Sequence, residues 1–233
     1  MRYEHFDIDS LAAYLHLAPQ QVSRLADRGK LPGRKVAGKW RFARADIHHW
    51  LEDRIGLSDE DELVDVEDVL QRSAGPGQQQ IRLAKMLPIE AIAVPLLART
   101  RNSVITHMVK LAAETGWLWD PEKMTEAVRA REDMHPTALE NGVALLHPRR
   151  PMVRILSQPF LALGLTATGI PFGGAAPMTD VFFLVCSADD RGHLRVLARL
   201  SRVLAMPGFL ETLRAAPDPQ TAHRLIADAE KEL

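Results

Sequence analysis

The distribution of charge along the chain is the feature that most constrains its fold, because it divides the sequence into parts of different character. Residues 24–44 carry eight Arg or Lys side chains and a single acid, Asp27. Residues 58–68 then carry seven acids and no base, and the segment QRSAGPGQQQ at 71–80 has the composition of a linker. We therefore predict a small basic domain over 1–55, an acidic flexible linker over 56–80 and a larger domain over 81–233.

The bulk composition limits where and how such a chain acts. Its 233 residues are enough to bury the cores of two domains, and a net charge of −1 means that any nucleic-acid site must be local. The single cysteine, Cys186, cannot form an internal disulfide. The sequence also has no signal pattern at its start and no apolar run long enough to span a membrane. We expect a cytoplasmic protein without a membrane partner.

The basic domain has the pattern helix, turn, helix, hairpin, helix. Asp7 is suited to cap a first helix, and Pro19 to occupy the first position of a second helix, which Gly29 ends. The segment KLPGRKVAGKWRFAR alternates as a hairpin does, with Val36, Trp40 and Phe42 predicted on one face and residues 37–39 at the tip. A third helix is predicted to open at Asp46.

Polar and basic side chains of the second helix and the hairpin form a candidate DNA-binding surface. Gln and Arg side chains reach base edges in the major groove, whereas hairpin bases contact phosphates. The alternative is an ordinary solvated helix face. The candidate residues are Gln20, Gln21, Ser23, Arg24, Arg28, Arg34, Lys35, Lys39 and Arg41.

The segment YLHLAPQQVSRLADRGKLPGRKVAGKWRFARADIHHWL resembles the excisionase-type winged helix-turn-helix domain that is related to the MerR regulators. The resemblance covers about residues 5–52 and implies binding to double-stranded DNA. One departure is Ala18, where the family usually has a capping Ser or Thr. Because a domain this small has a short footprint on DNA, the resemblance also implies a homodimer or a second partner.

The larger domain mixes helix and strand patterns. Helix starts are predicted at Thr100 and at Asp120-Pro121, a helix over about His193–Met206, and a last helix at Pro219. Between them lie four strand-like runs, GVALLH, MVRILS, FLALGLT and DVFFLVC. The order predicts an α/β domain in which helices flank a mixed sheet, so the whole chain is a two-domain α/β (α+β) protein.

The chemistry of this domain centres on His147, which ends an apolar run and precedes Pro148, Arg149 and Arg150. A histidine in this position is a packed core residue, a phosphoryl acceptor, a general base or a metal ligand. Neighbouring arginines favour an anion, and His193 at a helix start is suited to bind one. His135, His147 and His193 could supply nitrogens to zinc, but no motif supports them, so no metal is predicted.

The order RARED, HPTALENGVALLHPR and the long segment from FLALGLT to ETLRAA resembles the IIA domain of the phosphoenolpyruvate-dependent sugar phosphotransferase system, of the fructose/mannitol and nitrogen-related type. The resemblance implies that His147 accepts a phosphoryl group from the carrier protein HPr and that His193 hydrogen-bonds this group. Arg131 would help to neutralise it and Thr137 would line the site. No cofactor is implied beyond the transient phosphoryl group. Where the family usually has proline before the acceptor histidine, this chain has Leu146 and places Pro148 after it.

Three hypotheses follow for the whole chain. The first is a regulator whose DNA binding changes when His147 is phosphorylated. The second is a phosphocarrier whose small domain is a protein-interaction module. The third is a DNA-binding protein whose IIA-like domain is a sensor or dimerisation scaffold without phosphotransfer, which the Leu146 departure favours.

Overall fold

A computed structural model describes residues 5–15, 17–57, 81–173 and 178–233, and side chains within these ranges except those of 48 and 52–57. Contacts divide the chain into two compact units, Met1–Gln80 and Ile81–Leu233. The predicted linker begins at residue 56, but the third helix runs on to Leu57. The remainder of that linker lies outside the described residues.

The first unit contains helices α1 (Ile8–Leu15), α2 (Pro19–Asp27) and α3 (Arg44–Leu57) and strands β1 (His5–Phe6), β2 (Arg34–Val36) and β3 (Lys39–Ala43). The strands form an antiparallel sheet in the order β1-β3-β2. The Asp7 carboxylate accepts from the main-chain N–H of Ser10 at 2.9 Å and so caps α1, as predicted. The predicted succession of helix, turn, helix, hairpin and helix is confirmed.

Two details of this unit differ from the sequence prediction. Val36 pairs with Lys39 whereas Lys35 pairs with Trp40, so Val36 lies on the face opposite Trp40 and Phe42 and is exposed. The prediction that the three share a face was wrong because Ala37 and Gly38 form a two-residue turn with positive φ, which fixes the register. The third helix opens at Arg44, two residues before Asp46.

The second unit is built on a mixed four-stranded sheet, as predicted. Its strands are β4 (Ile92–Ala93), β5 (Val143–Leu146), β6 (Phe160–Ile170) and β7 (Thr179–Cys186), in the order β4-β6-β7-β5. β6 and β7 are antiparallel, whereas β4 is parallel to β6 and β5 is parallel to β7. The predicted strand over MVRILS was wrong, because residues Val153–Ile155 form a 3₁₀ helix and only Leu156 makes a bridge, to Leu118.

Helices cover this sheet and complete its core. They are α4 (Leu83–Met86), α5 (Arg101–Glu114), α6 (Pro121–Met134), α7 (Asp190–Ala205), α8 (Phe209–Arg214) and α9 (Pro219–Ala229), with a 3₁₀ turn at Ile89–Ala91. Met108 of α5 packs with Phe160 and Phe182 of the sheet in the buried core. α7 begins three residues before the predicted His193, because the Asp189 carboxylate caps it by accepting from the Gly192 N–H at 2.8 Å. Among the described residues, no helix is long and apolar enough to cross a membrane.

Candidate functional site

The parallel pairing of β5 and β7 brings two histidines to one edge of the sheet. His147 follows the last residue of β5, and Ser187 follows the last residue of β7. His193 lies in the first turn of α7, which begins shortly after Ser187. The two imidazole rings have their centroids 4.8 Å apart and their planes at 55°. His147 is only 2% exposed and His193 only 4%.

The ring of His147 is held through one nitrogen. Nδ1 lies 2.7 Å from the carbonyl oxygen of Leu145. A carbonyl only accepts, so Nδ1 must carry the hydrogen, and the lone pair of the neutral ring is then on Nε2. His193 is held in a similar way, with Nδ1 3.0 Å from the hydroxyl of Ser187. His147 is thus oriented by a residue of the strand that precedes it, and His193 by a residue of the loop that precedes its helix.

Thr137 and Glu132 form a buried pair beside His147. Glu132 is fully buried and accepts from the main-chain N–H of Thr137 at 3.1 Å and from the Thr137 hydroxyl. Burial raises the pKa of Glu132, while the hydrogen bonds from Thr137 act in the opposite direction. Glu132 was not predicted as a site residue from the sequence. The feature that could have revealed it is its position next to Arg131, near the end of α6.

Arg131 is buried near the end of α6 and donates from its guanidinium to the carbonyl of His135 at 2.5 Å. His135 itself is exposed and ends that helix. Arg149 and Arg150, which the sequence placed near the anion, are exposed on the segment after His147. The described residues contain no group of three or more acidic, His or Cys side chains that could hold a metal ion.

A tight turn sets the start of the strand that carries His147. Gly142 has φ of +83°, and a side chain there would come within 2.8 Å of the Arg214 guanidinium and 3.2 Å of the Met178 carbonyl. Arg214 donates to both carboxylate oxygens of Asp180 and, at 2.6 Å, to the carbonyl of Asn141. The absence of a side chain at Gly142 allows this close approach, and the contacts of Arg214 fasten the turn to β7 and α8.

In the first unit, the candidate DNA-binding residues lie on α2 and on the hairpin. Those exposed are Gln20, Gln21, Arg24, Arg28, Arg34, Lys35 and Lys39, while Ser23 and Arg41 are half-buried. Asp27 joins the two elements, because its carboxylate accepts from Lys35 and Trp40 at 3.3 Å each and from Ser23 at 3.4 Å. The helix and the hairpin thus meet on one side of the unit.

Some of these candidates already have partners. The side-chain carbonyl of Gln21 accepts from the main-chain N–H of Ala18 at 3.0 Å, which satisfies a donor at a helix start that lacks a capping Ser or Thr. Arg41 donates to the Trp40 carbonyl and lies 4.0 Å from the Asp7 carboxylate. Lys35 is paired with Asp27. Within the described part of the first unit, no ion pair is observed for Arg24, Arg28, Arg34 or Lys39, so these offer their full charge to an anion.

Each of the two units matches a known protein family. Residues 85–229 match the family model "Phosphoenolpyruvate-dependent sugar phosphotransferase system, EIIA 2", and residues 6–55 match a model described as "Helix-turn-helix domain". A PTS system fructose-specific EIIA component of Haloferax volcanii is 28% identical over 149 residues, which cover 63% of this chain and 95% of that protein. A nitrogen regulatory protein of Bradyrhizobium diazoefficiens is 28% identical over 141 residues, covering 59% of this chain and 90% of that protein.

Solved structures share the fold of the second unit. IIA mannitol from Escherichia coli superposes with a TM-score of 0.53 at 19% identity, covering 60% of this chain and 98% of that one. The nitrogen regulatory protein IIA-Ntr from Neisseria meningitidis gives a TM-score of 0.52 at 18% identity, covering 61% and 97%. At these identities the likeness concerns the fold alone.

Proposed function

Because the chain belongs to the type 2 EIIA family of the phosphoenolpyruvate-dependent sugar phosphotransferase system and carries a helix-turn-helix domain ahead of it, we propose that it is a DNA-binding regulator controlled by phosphorylation of His147. The donor is the phosphohistidine of an HPr-type carrier. The observation that carries the proposal is the contact of His147 Nδ1 with the Leu145 carbonyl at 2.7 Å beside the His193 ring.

The chemistry follows from that contact. The Nε2 lone pair of His147 attacks phosphorus, the new N–P bond forms, and the donor's N–P bond breaks with its electron pair returning to the donor ring. The Nδ1 proton stays on His147, where the Leu145 carbonyl stabilises the positive charge of the phosphorylated ring. Such a transfer needs alignment and charge neutralisation rather than covalent help from the protein.

His193 and Arg131 are the side chains we assign to neutralisation. His193 lies in the first turn of α7, where main-chain N–H groups favour an anion. Arg131 is buried on α6, and we assign its charge to the same phosphoryl group. Leu146 in place of the family's usual proline is buried in β5 and pairs with Leu184, so this departure supports the strand that delivers His147.

In the first unit, exposed Arg24, Arg28, Arg34 and Lys39 supply the positive surface for double-stranded DNA. Gln20 on the outer face of α2 is suited to read base edges. Since so small a domain covers few base pairs, we include in the proposal that two copies of the chain bind adjacent half-sites. Phosphorylation adds nearly two negative charges to His147 and thereby changes the affinity for DNA.

The first test is labelling of the purified chain with phosphoenolpyruvate, the first enzyme of the system and HPr. Acid-labile phosphate on the wild type but not on His147→Ala is expected. His107→Ala, which removes an exposed histidine of α5, is the matched control and should label normally. Absence of label, while a known IIA domain is labelled in parallel, would contradict phosphoryl transfer from HPr.

The second test separates regulation from phosphotransfer. DNA affinity is measured on the phosphorylated and unphosphorylated wild type at several salt concentrations. A change in affinity that His147→Ala abolishes supports the regulator. Labelling without any change in affinity would support a phosphocarrier, and salt-dependent DNA binding without labelling would support a DNA-binding protein with a IIA-type scaffold.

A further inference from the structure

A continuous series of hydrogen bonds joins Glu132 to the ring of His147. The two carboxylate oxygens of Glu132 accept from the hydroxyl and, at 3.1 Å, from the N–H of Thr137. The carbonyl of Thr137 accepts from the N–H of Leu145 at 3.4 Å. The carbonyl of Leu145 then accepts from Nδ1 of His147 at 2.7 Å. Three links therefore separate a buried carboxylate from the acceptor histidine.

Main-chain pairing fixes the register of this series. Ala138 and Ala144 form an antiparallel bridge, and Leu139 donates to the carbonyl of Val143 at 2.7 Å. Thr137 therefore lies directly opposite Leu145, two residues before His147. Glu132 holds Thr137 in place by accepting from its hydroxyl. A shift of Thr137 would displace Leu145, whose carbonyl orients the imidazole of His147.

We propose that Glu132 is a positioning residue that acts through Thr137 to fix the Nδ1–H tautomer and the direction of His147. This inference rests on the proposed function of His147 as a phosphoryl acceptor. It gives Thr137 a different part from the one the resemblance implies, since its hydroxyl is committed to Glu132 rather than to the phosphoryl group. The tautomer matters because a neutral imidazole protonated on Nε2 has no lone pair there to attack phosphorus.

The buried environment explains why a carboxylate suits this place. Glu132 has two oxygens that accept separately from the N–H and the hydroxyl of one residue, which an amide side chain cannot do with both of its polar atoms. Glu132 and Thr137 are both buried, so losing either acceptor would leave a buried donor of Thr137 unsatisfied. Thr137 would then shift to find another partner, and the register opposite Leu145 would loosen.

The test uses the ¹⁵N-labelled full chain and long-range ¹⁵N–¹H correlation spectra of the imidazoles, which report the tautomer of His147 without any phosphoryl donor. The wild type is expected to hold the Nδ1–H form. Glu132→Gln and Thr137→Val should populate both tautomers and lower the initial rate of labelling by about tenfold or more. Thr137→Ser restores the hydroxyl and should restore both readouts. Thr212→Val, which removes an exposed hydroxyl of α8 that donates to the Gly208 carbonyl, is the matched control.

The tautomer of His147 and the rate of labelling together support or overturn the positioning role of Glu132. A His147 tautomer and labelling rate that stay at wild-type values in Glu132→Gln and Thr137→Val would overturn it. Should Glu132→Gln fail to fold, the comparison of Thr137→Val with Thr137→Ser decides alone. A tautomer change in the variants, together with no labelling of the wild type, would support the positioning role and contradict the proposed function.

Discussion

The imidazoles of His147 and His193 lie with their centroids 4.8 Å apart, although 45 residues separate them in the sequence. The contact depends on the parallel pairing of β5 with β7, which carries the two chain segments to the same edge of the sheet. Each ring uses Nδ1 for a local contact, with the Leu145 carbonyl or the Ser187 hydroxyl. Two rings held so closely can share one phosphoryl group between them.

The first prediction concerns the unequal roles of this pair. His193→Ala should still become labelled, because the acceptor nitrogen remains, but the initial rate of labelling should fall on the order of 10²-fold through loss of the imidazole N–H as a donor to the developing charge. Ser187→Ala removes only the partner of His193 and should have a smaller effect. The measurement is the rate of phosphate incorporation from HPr. Wild-type rates in His193→Ala would show that the ring contact has no part in transfer.

The second prediction compares two lysines of the hairpin. Lys35 is paired with Asp27 at 3.3 Å, whereas the structure gives Lys39 no such pair among the described residues. Lys39→Ala should therefore reduce the slope of log affinity against log salt by about one for mixed-sequence duplex DNA, and Lys35→Ala by less. Asp27→Asn should raise affinity for every DNA sequence, since it removes the only acid of the basic segment. Anisotropy titrations at several salt concentrations measure these slopes, and equal slopes for the two lysine variants would contradict the argument.

Much of this architecture was predictable because local patterns encode it. Caps such as Asp7 and Asp120, and the alternation around Trp40, specify helices and a hairpin from neighbouring residues alone. Val36 was assigned to the wrong face because the register depends on the two-residue turn rather than on hydrophobicity. The strand predicted over MVRILS failed because an apolar run of that length is compatible with a 3₁₀ turn as well.

The histidine site was only partly predictable, because its geometry depends on contacts between residues that are distant in the sequence. His147 and His193 stood out by residue type, but their contact requires the order of strands in the sheet, which periodicity does not give. Glu132 was missed because a buried acid is recognisable only from its partners, and its partner Thr137 lies across the end of a helix. Residue type and spacing carry no information on which hydrogen bonds a carboxylate makes once it is buried.

The third prediction concerns pH. Burial raises the pKa of Glu132 in the folded chain, so the folded state binds this proton more tightly than the unfolded state does. The protonated side chain contributes fully to the stability of the folded state when the pH is below the pKa of Glu132 in the unfolded chain. This contribution is lost as the pH rises through the raised pKa of Glu132 in the folded chain. In Glu132→Gln this loss should be absent, so the difference in melting temperature between variant and wild type should shift in favour of the variant as pH rises. A difference in melting temperature between Glu132→Gln and the wild type that does not change with pH would contradict this prediction.

The fourth prediction uses two glycines that share a left-handed backbone and differ in their surroundings. Gly142 and Gly116 have φ of +83° and +73°, but an added Cβ at Gly116 meets nothing within 4 Å. Gly116→Ala should therefore cost only the strain of the backbone, about 1–2 kcal/mol. Gly142→Ala pays the same strain and also displaces the Arg214 guanidinium and crowds the Met178 carbonyl, so it should cost about 1–3 kcal/mol more.

Gly142→Ala should also affect the histidine site, because the turn at Gly142 directly precedes β5, the strand that ends one residue before His147. Arg214 holds that turn through Asn141 and Asp180, so Gly142→Ala should slow labelling of His147 whereas Gly116→Ala should not. Urea unfolding followed by far-UV circular dichroism measures the stability difference, and phosphate incorporation measures the rate. If both variants lost equal stability and labelled equally fast, the close approach of Arg214 would have no part in setting the start of β5.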